Sequence, residues 1–274
     1  MCSSLIEIIK FGLKSTGKII VVNLVSLPIL FAFVFVFINY KFFSHSVANS
    51  FYNGNHKVWA HRGYYKKFPE NSIESFSEAF NRGAHGVELD IFFDEGLQDF
   101  IVSHDVPYKL HKNKLLTLEK VFSSVGNRGY FWVDFKRLAS VHNIKIVVDK
   151  MEKLLRKFDL FEKVIIESPE GFLLRKFSQK GIHTSYWVQL PSIRVLIWIK
   201  DFGYRAMIAF SNFSALSMDY RDYANQLKRN YSHLPIHLFT VNNKEEMVEL
   251  INNCEVKVVL SDEDYYSLKQ ESCL

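Results

Sequence analysis

An α/β barrel of eight parallel strands, carried behind one membrane-spanning helix, is the architecture the sequence predicts. Three observations predict it. From Val58 onward, short apolar strand-like runs alternate with helix-like segments, the pattern of a parallel sheet with helical crossovers. Histidines and carboxylates sit at or just past the ends of several of these runs, where functional groups gather on a TIM-type (β/α)8 barrel. Ahead of the barrel stands an uncharged apolar run of 22 residues, Ile19 to Tyr40.

About 20 apolar residues cross a bilayer as a helix, so residues 19–40 read as a transmembrane segment. Lys10, Lys14 and Lys18 precede it, with Glu7 contributing little, and beyond it the nearest lysines are Lys41 and Lys57. That bias favours a cytoplasmic segment 1–18 and an exported domain. The rival reading is a cleaved signal peptide with a small-residue site at Ser46-Val47-Ala48 and a secreted product. Its apolar run is longer than the usual signal core, and the site lies well past the run's end, so an uncleaved anchor is preferred. Residues 41–56, with Asn53-Gly54-Asn55, then form a linker, and 57–274 the barrel.

Composition narrows the function classes. With 48% hydrophobic residues in 274, the core is ample even after one membrane segment is set aside. The net charge of +5 is spread along the chain, with no basic block, nucleic-acid motif or basic-aromatic stripe, which excludes a nucleic-acid partner. Cys2, Cys254 and Cys273 show no metal-type spacing; Cys254 and Cys273 could pair only if the fold brings them together, and the three are read as unpaired.

The predicted strands are Val58–His61, Gly86–Phe92, Phe100–Ser103, Tyr130–Phe135, Val164–Glu167, Thr184–Gln189, Leu216–Asp219, Ile236–Val241 and Lys257–Ser261. That is one more than an eight-stranded barrel needs. Between Asp90 and His104 there is no helical pattern, only the turn signal Asp94-Glu95-Gly96. A parallel crossover needs a dozen or more residues, whereas an antiparallel return needs only a turn. Phe100–Ser103 is therefore the extra strand, returning as a hairpin that brings His104 close to Asp90. A helix is expected from Ser72 to Arg82, and another around Leu116–Ser124.

Glu88 and Asp90 are two apart on one strand, so they share a face. Two carboxylates held together repel unless a cation neutralises them, and their oxygens suit hard ions such as Mg²⁺ or Ca²⁺. Beside His61 and His104, a metal site outweighs a pair of solvated acids. The two histidines are the candidate acid–base pair, since imidazole can take or give a proton near neutrality. Arg62 offers planar donors suited to a phosphate oxygen. The other eight histidines are read as surface or packing residues.

The ordered set His61-Arg62-Gly63, Pro69-Glu70-Asn71-Ser72, Gly83-x-x-Gly86-Val-Glu88-Leu-Asp90 and His104-Asp105 resembles the glycerophosphodiester phosphodiesterase family. The likeness runs over roughly residues 57–266. It implies a third metal ligand where the family has Glu-x-Lys; this chain has Asp134-Phe135-Lys136, one methylene shorter. Lys136 would then meet a phosphate oxygen. Glu70 and Asn71 match the family's loop, with Glu70 a further metal ligand or a partner for the base. Ser168-Pro169, Phe239-Thr240-Val241-Asn242 and Leu260-Ser261-Asp262 match more loosely. Phe239 is either a pocket wall or core packing, and Asp262 is read as capping the next helix. The short span 105–129 leaves little room for the insertion the family often carries there.

The resemblance implies metal-dependent hydrolysis of a glycerophosphodiester to glycerol 3-phosphate and an alcohol, with a divalent ion, Mg²⁺ or Ca²⁺, as cofactor. Two alternatives stand beside it. One is a lysophospholipase D acting on lysophospholipids at the membrane with the same groups. The other is a catalytically weak barrel that binds phosphodiesters or a partner protein, suggested by the shortened side chain at 134 and the short 105–129 span.

Overall fold

The computed structural model describes residues 26–45, 47, 51, 56–189, 194–223, 231 and 233–271. The segment 1–18, the first part of the predicted membrane run, most of the linker, Cys2 and Cys273 lie outside these residues. The chain divides into two units, Met1–His45 and Ser46–Leu274.

In the first unit Ser26–Phe43 forms helix α1, 18 residues with mean hydropathy 1.8 and 11% buried. At about 1.5 Å per residue this approaches the thickness of a bilayer core. Length and composition fit a membrane span or a signal sequence equally.

The second unit is the barrel. Its strands are β1 (Val58–Ala60), β2 (Gly86–Asp94), β3 (Asp99–Val102), β4 (Leu110–His111), β5 (Lys114–Leu115), β6 (Tyr130–Phe135), β7 (Val164–Ser168), β8 (His183–Trp187), β9 (Ala215–Asp219), β10 (Ile236–Phe239) and β11 (Val256–Ser261). Eight of them, β1, β2, β6, β7, β8, β9, β10 and β11, pair in parallel, and the ring closes through β1 against both β2 and β11. β3 lies outside the ring, antiparallel to the upper half of β2, with Ile91 opposite Val102 and Asp94 opposite Asp99. β4 and β5 form a two-residue-per-strand hairpin within 105–129, where the sequence shows only a helix. Helices α2 (Ile73–Asn81), α3 (Leu118–Val125), α4 (Ile144–Phe158), α5 (Gly171–Ser178) and α6 (Arg194–Ala209) alternate with the strands, and Lys244–Ile251 supplies a further one before β11.

Alternation along the strands fills the interior. Trp59, Trp132, Ile165, Ala215, Val258 and Leu260 meet there in one cluster. Gly86 makes room for the indole, since a Cβ at that position would stand 2.4 Å from Trp59. Phe51, inside the stretch read as linker, is buried; its ring lies 5.4 Å from that of Tyr130 and 4.9 Å from that of His183. Tyr130 and His183 begin their strands, so Phe51 plugs the N-terminal end of the barrel and leaves the opposite end for polar side chains.

One cysteine departs from the expected unpaired state. Cys254 is disulfide-bonded. The tail folds back onto the turn that carries it: Gln270 Nε2 lies 3.7 Å from Cys254 Sγ, and Glu271 N donates to Asn252 at 3.0 Å.

Candidate active site

The site begins at the end of β1. Arg62 and Gly63 both take left-handed backbone conformations, φ 53° and 76°. At Gly63 a Cβ would lie 2.5 Å from Ser75 Oγ, so the tight turn requires glycine. The turn is latched to α2: Tyr64 N donates to Ser75 O, and Ser75 Oγ donates to Arg62 O. α2 itself starts in a capping box, Ser72 Oγ accepting from Ser75 N and Ser75 Oγ from Ser72 N. The Pro-Glu-Asn-Ser stretch thus fixes where Glu70 and Asn71 stand.

Glu88, Asp90 and Asp134 converge at the mouth. Each offers one oxygen within 4.8 Å of the others. Asp90 and Asp134 are register partners across β2 and β6. Glu88 and Asp90 are 2% and 1% exposed, Asp134 9%. Burial, followed by the repulsion of Asp90 and Asp134, pushes the Glu88 carboxyl well above its ordinary range. Burial raises Asp134 as well, against the pull of Lys136. Lys136 Nζ stands 2.9 Å from Asp90 Oδ1 and pairs with Asp134, and these anions raise its pKa although burial opposes them.

The surrounding groups are tied to this cluster. Arg62 N donates to Glu88 Oε2 at 2.9 Å, Nη1 donates to Glu70 at 3.0 Å, and Nε lies 3.2 Å from Asp90 Oδ2. Asn71, buried and left-handed with φ 55°, donates to Asp90 Oδ2 at 2.8 Å and accepts from Asp90 N at 3.0 Å. Glu70 pairs with Arg62 and Lys109, which lower its pKa against the effect of burial. It stands outside the close carboxylate group.

The two histidines flank the cluster. His61 Nδ1 lies 2.7 Å from Asp262 Oδ1, and its Nε2 lies 3.9 Å from Glu88 Oε2. Asp262 is therefore more than a helix cap. Burial alone would raise it, but His61, Asn242 and Tyr65 outweigh burial and lower its pKa. Asn242 clasps it, Nδ2 donating to Oδ2 at 2.7 Å and Oδ1 accepting from Asp262 N at 2.9 Å. His104 follows β3, whose end is tied to the site by Ser103 N donating to Asp90 O at 3.0 Å. Its Nδ1 lies 2.9 Å from Asp105 Oδ1, and its charge acts on Asp134. Phe239 is half-buried, with ring centroids 5.5 Å from Trp187 and 6.2 Å from Trp132.

Sequence reasoning missed Asp262 and Asn242 as partners of the histidine, and it missed Glu167, buried on β7. Asp262 could have been found: β1 pairs with β11, with Ala60 opposite Ser261, so the next residues on the two strands are His61 and Asp262.

Fold and site together define a TIM-type (β/α)8 barrel with a buried acidic cluster at its C-terminal mouth. The chain is similar to the glycerophosphodiester phosphodiesterase family. The model of the glycerophosphoryl diester phosphodiesterase family matches residues 61–105, the span holding both histidines, Arg62, Glu88 and Asp90. A glycerophosphodiester phosphodiesterase of Bacillus altitudinis is 24% identical over 140 residues, 41% of this chain and 57% of that protein. One from Caldanaerobacter subterraneus subsp. tengcongensis is 27% identical over 154 residues, 46% of this chain and 63% of that one. The chain thus spans about three-fifths of the length of the curated relatives it matches. An Oleispira antarctica phosphodiesterase, solved in complex with the product sn-glycerol-3-phosphate, shares the fold at TM-score 0.58 and 17% identity, covering 79% of this chain and 96% of that one.

Proposed function

We propose that this chain is a membrane-anchored, metal-dependent phosphodiesterase that hydrolyses glycerophosphodiesters to glycerol 3-phosphate and an alcohol. The observation that carries the reading is the convergence of Glu88, Asp90 and Asp134 beside His61, with Glu88, Asp90 and both histidines inside the span that matches the family. The donor set fits a hard divalent ion: three carboxylates, nearly buried, with Glu88 and Asp134 in surroundings that disfavour their charge until a cation arrives. Glu88, Asp90 and Asp134 would hold that ion, Mg²⁺ or Ca²⁺. When bound, it neutralises the phosphodiester and stabilises charge at phosphorus.

The remaining steps fall to the chain's own groups. Asp262 holds His61 through Nδ1 and Asp105 holds His104 the same way, so each keeps Nε2 for the reaction. One histidine takes a proton from the attacking water, and the other gives one to the leaving alkoxide. Arg62 and Lys136, already poised over Asp90, hold phosphate oxygens, while Asn71 and Glu70 keep Asp90 and Arg62 in place. Phe239 supports the apolar side of the pocket with Trp187.

The preceding lysines and the Cys254 disulfide both support an exported barrel with a cytoplasmic N-terminus, since disulfides persist in oxidising compartments. A second reading, lysophospholipase D activity at a bilayer, is favoured by α6. Tyr204 of that helix bonds to Gln189 just past the end of β8, while Trp198 is 82% and Ile199 66% exposed. Interfacial aromatic and aliphatic side chains of this kind suit a lipid surface.

The full-length chain in detergent, assayed on glycerophosphocholine and lysophosphatidylcholine with Mg²⁺, Ca²⁺ or EDTA, tests the proposal. Metal-dependent glycerol 3-phosphate release, lost in His61→Ala, is expected. Faster turnover of the lysolipid would move the assignment to lysophospholipase D. No turnover in the wild type, with recovery in Asp134→Glu, would leave a barrel that binds without catalysing.

A further inference from the structure

The barrel interior holds a carboxyl group that the proposed reaction leaves unused. Ile165 packs in the inner cluster beside Trp132, so Glu167, two residues on along β7, faces the same interior. Its register partner on β6 is Asp134, and on β8 it is Ser185. Glu167 is 2% exposed, and its Oε2 has no hydrogen-bond partner. Ser185 Oγ, Ser217 Oγ and Trp132 Nε1 are buried without partners too. Burial and Asp134 oppose the ionised form of Glu167; the Ser217 hydroxyl, Lys136 and the Trp132 indole favour it.

A buried carboxyl oxygen without a partner is rare in folded proteins, and water or an ion commonly satisfies such a group. Each neighbouring carboxylate has at least one protein-side contact. Asp90 Oδ2 accepts from Asn71 and Asp90 Oδ1 faces Lys136. Glu88 Oε2 accepts from the Arg62 backbone, and Asp134 Oδ2 pairs with Lys136. A hard cation gathers six or more oxygens, so water completes a site built on these three, and a nearby carboxyl can act on the ion through that water.

Resting on the metal-site reading above, we propose that Glu167 is a supporting carboxylate of the cation site, acting from the β7 side of Asp134, its register partner, outside the close group of three that would hold the ion. The competing account is a neutral acid held by buried water among Ser185 and Ser217, with no part in cation binding.

Mn²⁺ binding to the full chain in detergent, followed by electron paramagnetic resonance without substrate, separates the two. Wild type, Glu88→Gln, Glu167→Gln and Glu167→Asp are compared, with metal-free melting as the folding control. The expected result is affinity weakened about tenfold or more in Glu167→Gln, within the range for groups supporting a metal, and less in Glu167→Asp. Wild-type affinity in Glu167→Gln overturns the proposal. Should that variant fail to fold, wild-type affinity in Glu167→Asp does the same. A wild type that does not bind Mn²⁺, or an indifferent Glu88→Gln, refutes the metal-site reading and this proposal with it. Binding that needs Glu88 and ignores Glu167 refutes this proposal alone.

Discussion

Replacing Asn71 with alanine tests how the loop before α2 holds the acidic cluster. Asn71 is 2% exposed and spans Asp90 from both sides, donating to its carboxylate at 2.8 Å and accepting from its backbone at 3.0 Å. Removing the donor to a charged acceptor costs about 1.5–3 kcal/mol, and stranding the buried Asp90 N–H costs about 1–3 kcal/mol. Alanine at φ 55° adds on the order of 1 kcal/mol, because asparagine tolerates the left-handed region better. The sum is about 3.5–7 kcal/mol, which for a domain of this size lowers the melting temperature by at least about 7 °C. Circular dichroism of the metal-free barrel reads this directly. A fall of less than about 2 °C would refute the reasoning. Asn71→Asp keeps the acceptor but faces Asp90 with a second carboxylate, so its loss should be larger at neutral pH and eased in acid.

Lys136→Met leaves Asp90 and Asp134 without their cation, so the metal-free melting temperature should fall, and Mg²⁺ should raise the variant's more than the wild type's; equal Mg²⁺ shifts would contradict this. Asp262→Asn should lower turnover about 10²-fold or more while leaving Mn²⁺ affinity near wild type, because it loosens His61 and not the carboxylates; unchanged turnover would refute the role. Burial holds His237 neutral and lowers its pKa to about 3. Unfolded, the same imidazole binds a proton near 6.5, so its contribution is full above that pH and is lost as pH falls toward 3. By pH 5 the loss is about 2 kcal/mol, and His237→Gln should flatten the acid limb of a stability–pH curve; an unaltered slope would count against it.

Much of the barrel can be read from the chain because each strand carries its own period. Gly86–Asp94 and Tyr130–Phe135 hold apolar and acidic residues on alternating faces, and Ser72 caps α2 one residue from its expected start. The acidic cluster was legible for the same reason, since Glu88-x-Asp90 fixes a shared face on one strand. What escaped was whatever depends on strands far apart in sequence. His61 and Asp262 become neighbours only when β11 closes against β1. Glu167 reads as part of an apolar run until β7 is laid beside β6 in register. The return of the tail, where Glu271 N donates to Asn252, has no periodic pattern to announce it. The hairpin β4–β5, two residues in each strand, is too short for alternation to register.

The most direct test of the central claim is ³¹P NMR of glycerophosphocholine turned over by the full chain in H₂¹⁸O with Mg²⁺. Water attack at phosphorus with loss of the alcohol predicts glycerol 3-phosphate carrying one ¹⁸O, formed only with metal and abolished in Glu88→Gln. Phosphocholine as product, or no product from a chain shown to bind metal and substrate, would contradict the account.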